Sequence, residues 1–305
     1  MNLFPGPEEL AQSRQLVLGL SLHVAPTFSP SRTGLHQGRD LGRGLEFEEL
    51  RSYIPGDDIR SIDWRVTARR GRVHTRLYRE EKERPVWIVP SFAANLFFGS
   101  RRQLKSALAL RLTSLLGWIG LGEGDRVGLL VDAPHLKEPL FSPAQSRTEH
   151  WLTTLQQLSD LQPRTLPPET APTLAQSLLR LQPHIQSGSL VIVIGDHASF
   201  RDDCLSSLVS LRRRSTVILC NLYDPLERSG LPDGWFRIGR PGQSQRVYGA
   251  SSRTSWSSAW QEQNQLLQSF CSAHQIRLLD FVTAEDPAFS LASHLGHRPM
   301  RRSYS

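Results

Sequence analysis

Apolar and polar positions follow two different rhythms along the chain, and the change falls near residue 84. From residue 85 onward, short and largely apolar runs at 86–89, 127–131, 190–194, 217–222 and 276–281 alternate with stretches in which leucine recurs every three or four residues. The runs predict strands buried on both faces. The leucine spacing predicts helices: Leu104, Leu108, Leu112, Leu115, Leu116 and Ile119 share one face, as do Leu152, Leu155 and Leu158, then Leu174, Leu178 and Leu181. Ser142-Pro143-Ala144-Gln145 combines a capping serine, a first-turn proline and a glutamine three residues on, which predicts a further helix start. A strand, helix, strand order repeated this often predicts a doubly wound, mostly parallel α/β sheet. Residues 224–253, rich in Gly, Pro and Ser, interrupt the alternation and predict a hairpin or a partner-binding loop.

Before residue 84 the pattern is irregular. A short helix is predicted near residues 8–18, and Ser29-Pro30-Ser31 with Gly34, Gly38, Gly42 and Gly44 predicts loops. Alternation over 73–79 places Val73, Thr75, Leu77 and Arg79 on one face of a half-buried strand, with His74 opposite as a surface or packing residue. The expected organisation is a β-rich module over 1–84 followed by an α/β domain over 85–305 that ends in a basic tail from His297.

Composition narrows the function classes. The 305 residues are 39% hydrophobic and 21% charged, which excludes a disordered or collagen-like chain. Cys204, Cys220 and Cys271 form no CxxC pair, so neither a disulfide framework nor a cysteine zinc site is expected, and a reducing compartment fits. The opening residues lack the basic and apolar regions of a secretory signal. The most apolar stretches are too short or, with Lys105 and Arg111, too charged to span a bilayer, so a cytoplasmic protein is expected. The net charge is +7, and arginine supplies 33 of the 36 basic residues. Its planar fork suits an acidic protein, an anionic membrane surface or nucleic acid, and a GC-rich genome gives the same bias, so charge alone selects none.

The densest chemistry lies between residues 44 and 69: Gly44-Leu45-Glu46-Phe47, then Tyr53-Ile54-Pro55-Gly56-Asp57-Asp58-Ile59-Arg60-Ser61-Ile62-Asp63-Trp64, then Ala68-Arg69. Pro55-Gly56-Asp57-Asp58 predicts a turn with a capping residue, after which Arg60 and Asp63 would hold Trp64 and Ala68 against the sheet in an ion-pair network. With Phe98-Gly99-Ser100, Lys105-Ser106, Gly124-Asp125-Arg126-Val127-Gly128 and Tyr223-Asp224-Pro225-Leu226-Glu227, this pattern resembles the bacterial domain of unknown function family number 58.

The resemblance implies a von Willebrand factor A-type domain in the second half of the chain. It also implies a non-enzymatic adaptor or scaffold that binds protein partners, working beside a MoxR-type AAA+ ATPase in the assembly or activation of a client complex. Glu46, Phe47, Asp57, Asp58, Arg60, Asp63, Trp64 and Arg69 are the partner-binding candidates. An A-type cation site takes Asp-x-Ser-x-Ser after the first strand, a later Thr and an Asp after a central strand. The matching positions hold Pro90, Phe92 and Ala94, which carry no side-chain oxygen, with Thr173 and Asp196 at the other two. Mg²⁺ demands near-octahedral oxygen ligation, so a degenerate site without metal or other cofactor is expected, with Asp196 serving as a helix N-cap.

Enzyme signatures are sparse. The sequence has no Gly-x-Gly-x-x-Gly, Walker-type Gly-Lys-Ser/Thr, Gly-x-Ser-x-Gly or His-Glu-x-x-His. The enzymatic alternative is a metal-dependent nuclease built on Asp57, Glu80 and Lys82, in which strand alternation puts Glu80 and Lys82 on one face. Gly56 interrupts the Pro-Asp pair such enzymes use, so nucleic acid is the less favoured partner.

Overall fold

The computed structural model describes residues 4–22, 45–54, 59, 62–80, 83–131, 138–161, 173–239 and 244–296. The chain divides into two compact units, one formed by residues 28–83 and the other by residues 1–27 together with 84–305. The first 27 residues thus belong to the α/β unit, although the sequence groups them with the β-rich module.

In the smaller unit, β1 (Leu45–Ser52) pairs antiparallel with β2 (His74–Glu80), the register slipping between Phe47 and Glu49. Between them lies α2 (Trp64–Arg70), preceded in the chain by α1 (Pro7–Gln12) of the larger unit. Asp63 starts α2 by accepting from the backbone N–H groups of Arg65 and Val66, and Gly71 ends it at a φ of 70°, where a side chain would be strained. His74 is buried and its Nδ1 lies 2.7 Å from the Arg72 carbonyl.

The larger unit is a six-stranded sheet in the order β10-β7-β6-β3-β4-β5, where β3 is Pro85–Pro90, β4 Arg126–Val131, β5 Leu140–Gln145, β6 Ser189–Gly195, β7 Ser215–Tyr223 and β10 Arg277–Val282. All neighbours run parallel except β5, which is antiparallel to β4. Residues alternate between two cores: Val86 and Ile88 of β3 face one, Trp87 and Val89 the other. The first core is closed by α1, α3 (Lys105–Gly122), α4 (Thr148–Asp160) and α9 (Pro287–His294). The second is closed by α5 (Leu174–Leu181), α6 (Asp202–Arg212) and α8 (Gly249–Ala273). This is the doubly wound architecture that the alternating runs predict.

One local expectation fails. Ser142-Pro143-Ala144-Gln145 is not a helix start but part of β5, which pairs with β4 through Val131↔Leu140 and Leu129↔Ser142. On an edge strand a proline forfeits no ladder bond that the sheet needs, so tertiary pairing overrides the local capping pattern, and the helix begins at Thr148. The stretch at 224–253 resolves into α7 (Pro225–Ser229), the hairpin β8 (Trp235–Ile238) and β9 (Gln245–Tyr248), and the start of α8. Among the described residues no helix is long and apolar enough to cross a membrane.

Candidate functional site

The loops after β3, β6, β7 and β10 converge at the carboxyl edge of the sheet, the place where open α/β sheets put their sites. The family-like motifs deliver the key groups there. Gly99 permits a tight loop, because a Cβ on it would come within 2.1 Å of the Gln103 carbonyl oxygen. That loop closes through Lys105 N–H donating to the Phe98 carbonyl and sets Lys105 as the first residue of α3. Asp224 and Glu227 form a capping box on α7, with Pro225 in the first turn. The same Asp224 accepts from Ser100, through both its backbone N–H and its hydroxyl, and from the Thr283 hydroxyl beyond β10.

At the centre stands Lys105, only 1% exposed, whose Nζ donates to Asp196 Oδ2 and Glu227 Oε1, each at 2.6 Å. Burial pulls the lysine's pKa down, but the two carboxylates more than offset it and hold the ammonium above the ordinary lysine value. Burial likewise pushes Asp196 up, and Lys105, Asn95 and Ser199 together bring it below the usual carboxylate value. Asp196 Oδ1 accepts from the Ser199 N–H and hydroxyl and from the Asn95 amide. Ser199 Oγ lies 3.5 Å from Ser91 Oγ.

Beside this ion pair is a cavity of about 370 Å³, lined by Asp196, His197, Glu227, Trp256, Trp260 and Gln263 among others. Trp256 Nε1 donates to the Glu227 carbonyl, while Trp260 packs edge-on against His197 and under the Arg228 guanidinium. Burial lowers the pKa of His197, with Asn264 opposing it, so the imidazole is kept neutral. The walls offer aromatic faces and acceptors. The three thiols are buried, and desolvation pushes Cys204 and Cys271 up to about 12 and Cys220 higher still, so none is a thiolate nucleophile. Ser142 Oγ lies 2.8 Å from His150 Nε2, but the serine is 3% exposed and also bonds Thr154, and no carboxylate orients His150 among the described residues.

The positions expected to mark the cation site are placed differently. Pro90 ends β3, Phe92 is in the core and Ala94 begins a one-turn 3₁₀ helix (Ala94–Leu96). The polar residues lie one position along, at Ser91 and Asn95, and these reach Ser199 and Asp196. Thr173 is exposed and caps α5 in a box with Gln176. Asp196 is not a helix N-cap: α6 starts from Arg201, and the aspartate pairs with Lys105 instead. Among the described residues no group of three or more His, Cys, Asp or Glu is placed to hold a metal ion. The donors therefore do not fit a resident divalent cation, because an ammonium already stands between the two carboxylates.

In the smaller unit Asp63 is buried as the α2 cap, whereas Trp64 is 64% exposed and Ala68 and Arg69 are exposed, so this helix does not clamp its tryptophan against a sheet. Glu46 and Phe47 lie on β1 opposite Arg79 and Tyr78, and Glu80 ends β2. Asp57, Asp58, Arg60 and Lys82, and the tail from His297, fall outside the described residues. Sequence reasoning passed over Lys105, Asp224 and Glu227 as site residues. The signal that could have found the first of them is a lysine at the start of an apolar helix, in a chain where arginine supplies 33 of the 36 basic residues.

The hairpin after α7 presents a second feature. Its register pairs Trp235 with Tyr248 and Arg237 with Arg246 on one face, and all four side chains are exposed. The Arg246 guanidinium lies 4.9 Å from the Trp235 ring.

The chain belongs to the family described as protein of unknown function DUF58, whose model matches residues 49–265. The uncharacterized proteins Rv1480 of Mycobacterium tuberculosis and Mb1516 of Mycobacterium bovis are each 28% identical to it over 200 residues, covering 66% of this chain and 61% of theirs. Similar solved structures include BatB from Bacteroides thetaiotaomicron, at 12% identity and a TM-score of 0.42, covering 70% of this chain and 98% of that one. A von Willebrand factor type A protein from Catenulispora acidiphila follows at 9% and 0.39, covering 73% and 43%.

Proposed function

We propose that this chain is a cytoplasmic, non-catalytic adaptor that binds protein partners and works with a MoxR-type AAA+ ATPase on a client complex. The observation that carries the reading is the ion pair of Lys105 with Asp196 and Glu227, which satisfies the groups at the sheet's carboxyl edge internally and leaves the edge as a shaped binding surface. The aromatic cavity beside it and the exposed Trp235, Arg237, Arg246 and Tyr248 face supply contacts of the kind that dominate protein interfaces, where Trp, Tyr and Arg are enriched. The inert thiols and the buried Ser142 support binding over covalent catalysis.

The test is co-expression with a MoxR-type ATPase, followed by size-exclusion chromatography. Co-elution at a fixed ratio is expected. Separate elution would contradict the ATPase partner, and cleavage of DNA or RNA in Mn²⁺ that a Lys82→Ala variant loses would replace the adaptor by the nuclease reading.

A further inference from the structure

We infer that the Lys105 ammonium is the built-in cation of this site, occupying the point between Asp196 and Glu227 that a divalent ion would otherwise take. The inference stands apart from the adaptor reading, since it concerns the source of the site's positive charge and not its partner.

Three observations carry it. First, Nζ lies 2.6 Å from an oxygen of each carboxylate, so one point is shared by two anionic groups, one from the loop after β6 and one from α7. That separation is at the outer limit of Ca²⁺–oxygen distances, about 2.3–2.6 Å, and a short inward movement of the oxygens would bring it to the roughly 2.1 Å of Mg²⁺. Second, the lysine is buried at the first residue of a helix, where a long charged side chain ordinarily reaches for water; here it points inward and is neutralised by these two groups. Third, the other oxygen of the Asp196 carboxylate, Oδ1, is already held by the Asn95 amide and by the Ser199 N–H and hydroxyl, so Oδ2 is the atom left to face the cation. One or two carboxylates with several retained waters are enough to hold Mg²⁺ or Mn²⁺. What keeps the site from doing so is the tethered ammonium.

It follows that shortening residue 105 should uncover a divalent site, while filling the same volume with a neutral side chain should not. The experiment uses the full chain as wild type, Lys105→Ala, Lys105→Met and the double variant Lys105→Ala/Asp196→Asn. Binding is read from loss of the free Mn²⁺ electron paramagnetic resonance signal, and stability from thermal melting with Mn²⁺ or EDTA. The wild type is expected to leave the Mn²⁺ signal unchanged and to melt at the same temperature in both. Lys105→Ala is expected to remove one equivalent of Mn²⁺ and to melt higher with Mn²⁺ than with EDTA, as any ligand that binds only the folded state requires. Lys105→Met and the double variant should bind none. If Lys105→Ala unfolds in EDTA, refolding on addition of Mn²⁺ supports the inference and failure to refold contradicts it. A folded Lys105→Ala that takes up no Mn²⁺ overturns it, as does a wild-type chain that binds one Mn²⁺ and loses it on Asp196→Asn.

Discussion

Asp224 holds Ser100 through two bonds, its carboxylate accepting from the serine N–H at 2.8 Å and from the hydroxyl, and so anchors the loop that delivers Lys105. The same carboxylate caps α7, which carries Glu227, and takes the Thr283 hydroxyl. Both flanks of the ion pair therefore depend on one fully buried side chain. Asp224→Ala removes a helix cap and leaves several donors without an acceptor, and should cost about 3 kcal/mol in chemical denaturation. Asp224→Asn, which keeps an acceptor oxygen, should cost clearly less; equal losses would show that the hydrogen bonds are not what the residue contributes.

Gly117 and Trp151 compete for one volume. A Cβ on Gly117 would lie 2.0 Å from Trp151 Cζ2, between α3 and α4. Gly117→Ala, which on helix propensity alone would stabilise, should instead destabilise by about 1–3 kcal/mol through overpacking. An unchanged melting temperature would mean the two helices do not pack as described.

In the smaller unit, Asp63 acts on the backbone of α2 and its neighbours Trp64 and Arg69 are exposed. Asp63→Ala should cost that unit about 1–2 kcal/mol, the range of a lost N-cap. The loss should appear as faster hydrogen exchange over residues 64–70. Unchanged exchange in that helix would refute the capping role.

His197 gives a pH dependence whose sign is fixed. Its folded pKa is depressed, so below the unfolded value of 6.5 the unfolded chain binds more protons than the folded one. Its contribution to stability is present above 6.5 and lost as pH falls through the depressed folded value. Melting temperatures from pH 7.5 to 5 should therefore fall less steeply in His197→Gln than in the wild type; parallel curves would contradict a neutral, desolvated imidazole.

The sheet was legible because strands buried on both faces write continuous apolar runs, and the runs at 86–89, 190–194 and 217–222 each lie inside an observed strand. β5 was not, since Ser142 and Pro143 carry a helix-start pattern whose outcome depends on the partner strand β4. The site was legible only in part. Asp196 stands out at the end of an apolar run, but its partner Lys105 is 91 residues away in sequence, and nothing local shows that the two meet. The cation-loop register slipped by one residue for a related reason: strand β3 ends in Pro90, so the inward-facing polar positions are Ser91 and Asn95 and not the even-numbered ones.

The central claim is that the chain works by binding a protein partner through its exposed surface rather than by catalysis. The most direct measurement is calorimetric titration of a MoxR-type ATPase with wild-type chain and with Trp235→Ser/Arg246→Glu, whose side chains are exposed and lie outside both cores. Saturable wild-type binding, weakened at least about tenfold by the double substitution with the melting temperature unchanged, is the expected result, since loss of a Trp or Arg hot spot costs about 2 kcal/mol or more and about 1.4 kcal/mol is tenfold. Absence of binding by the wild-type chain, or equal binding by the variant, would contradict the account.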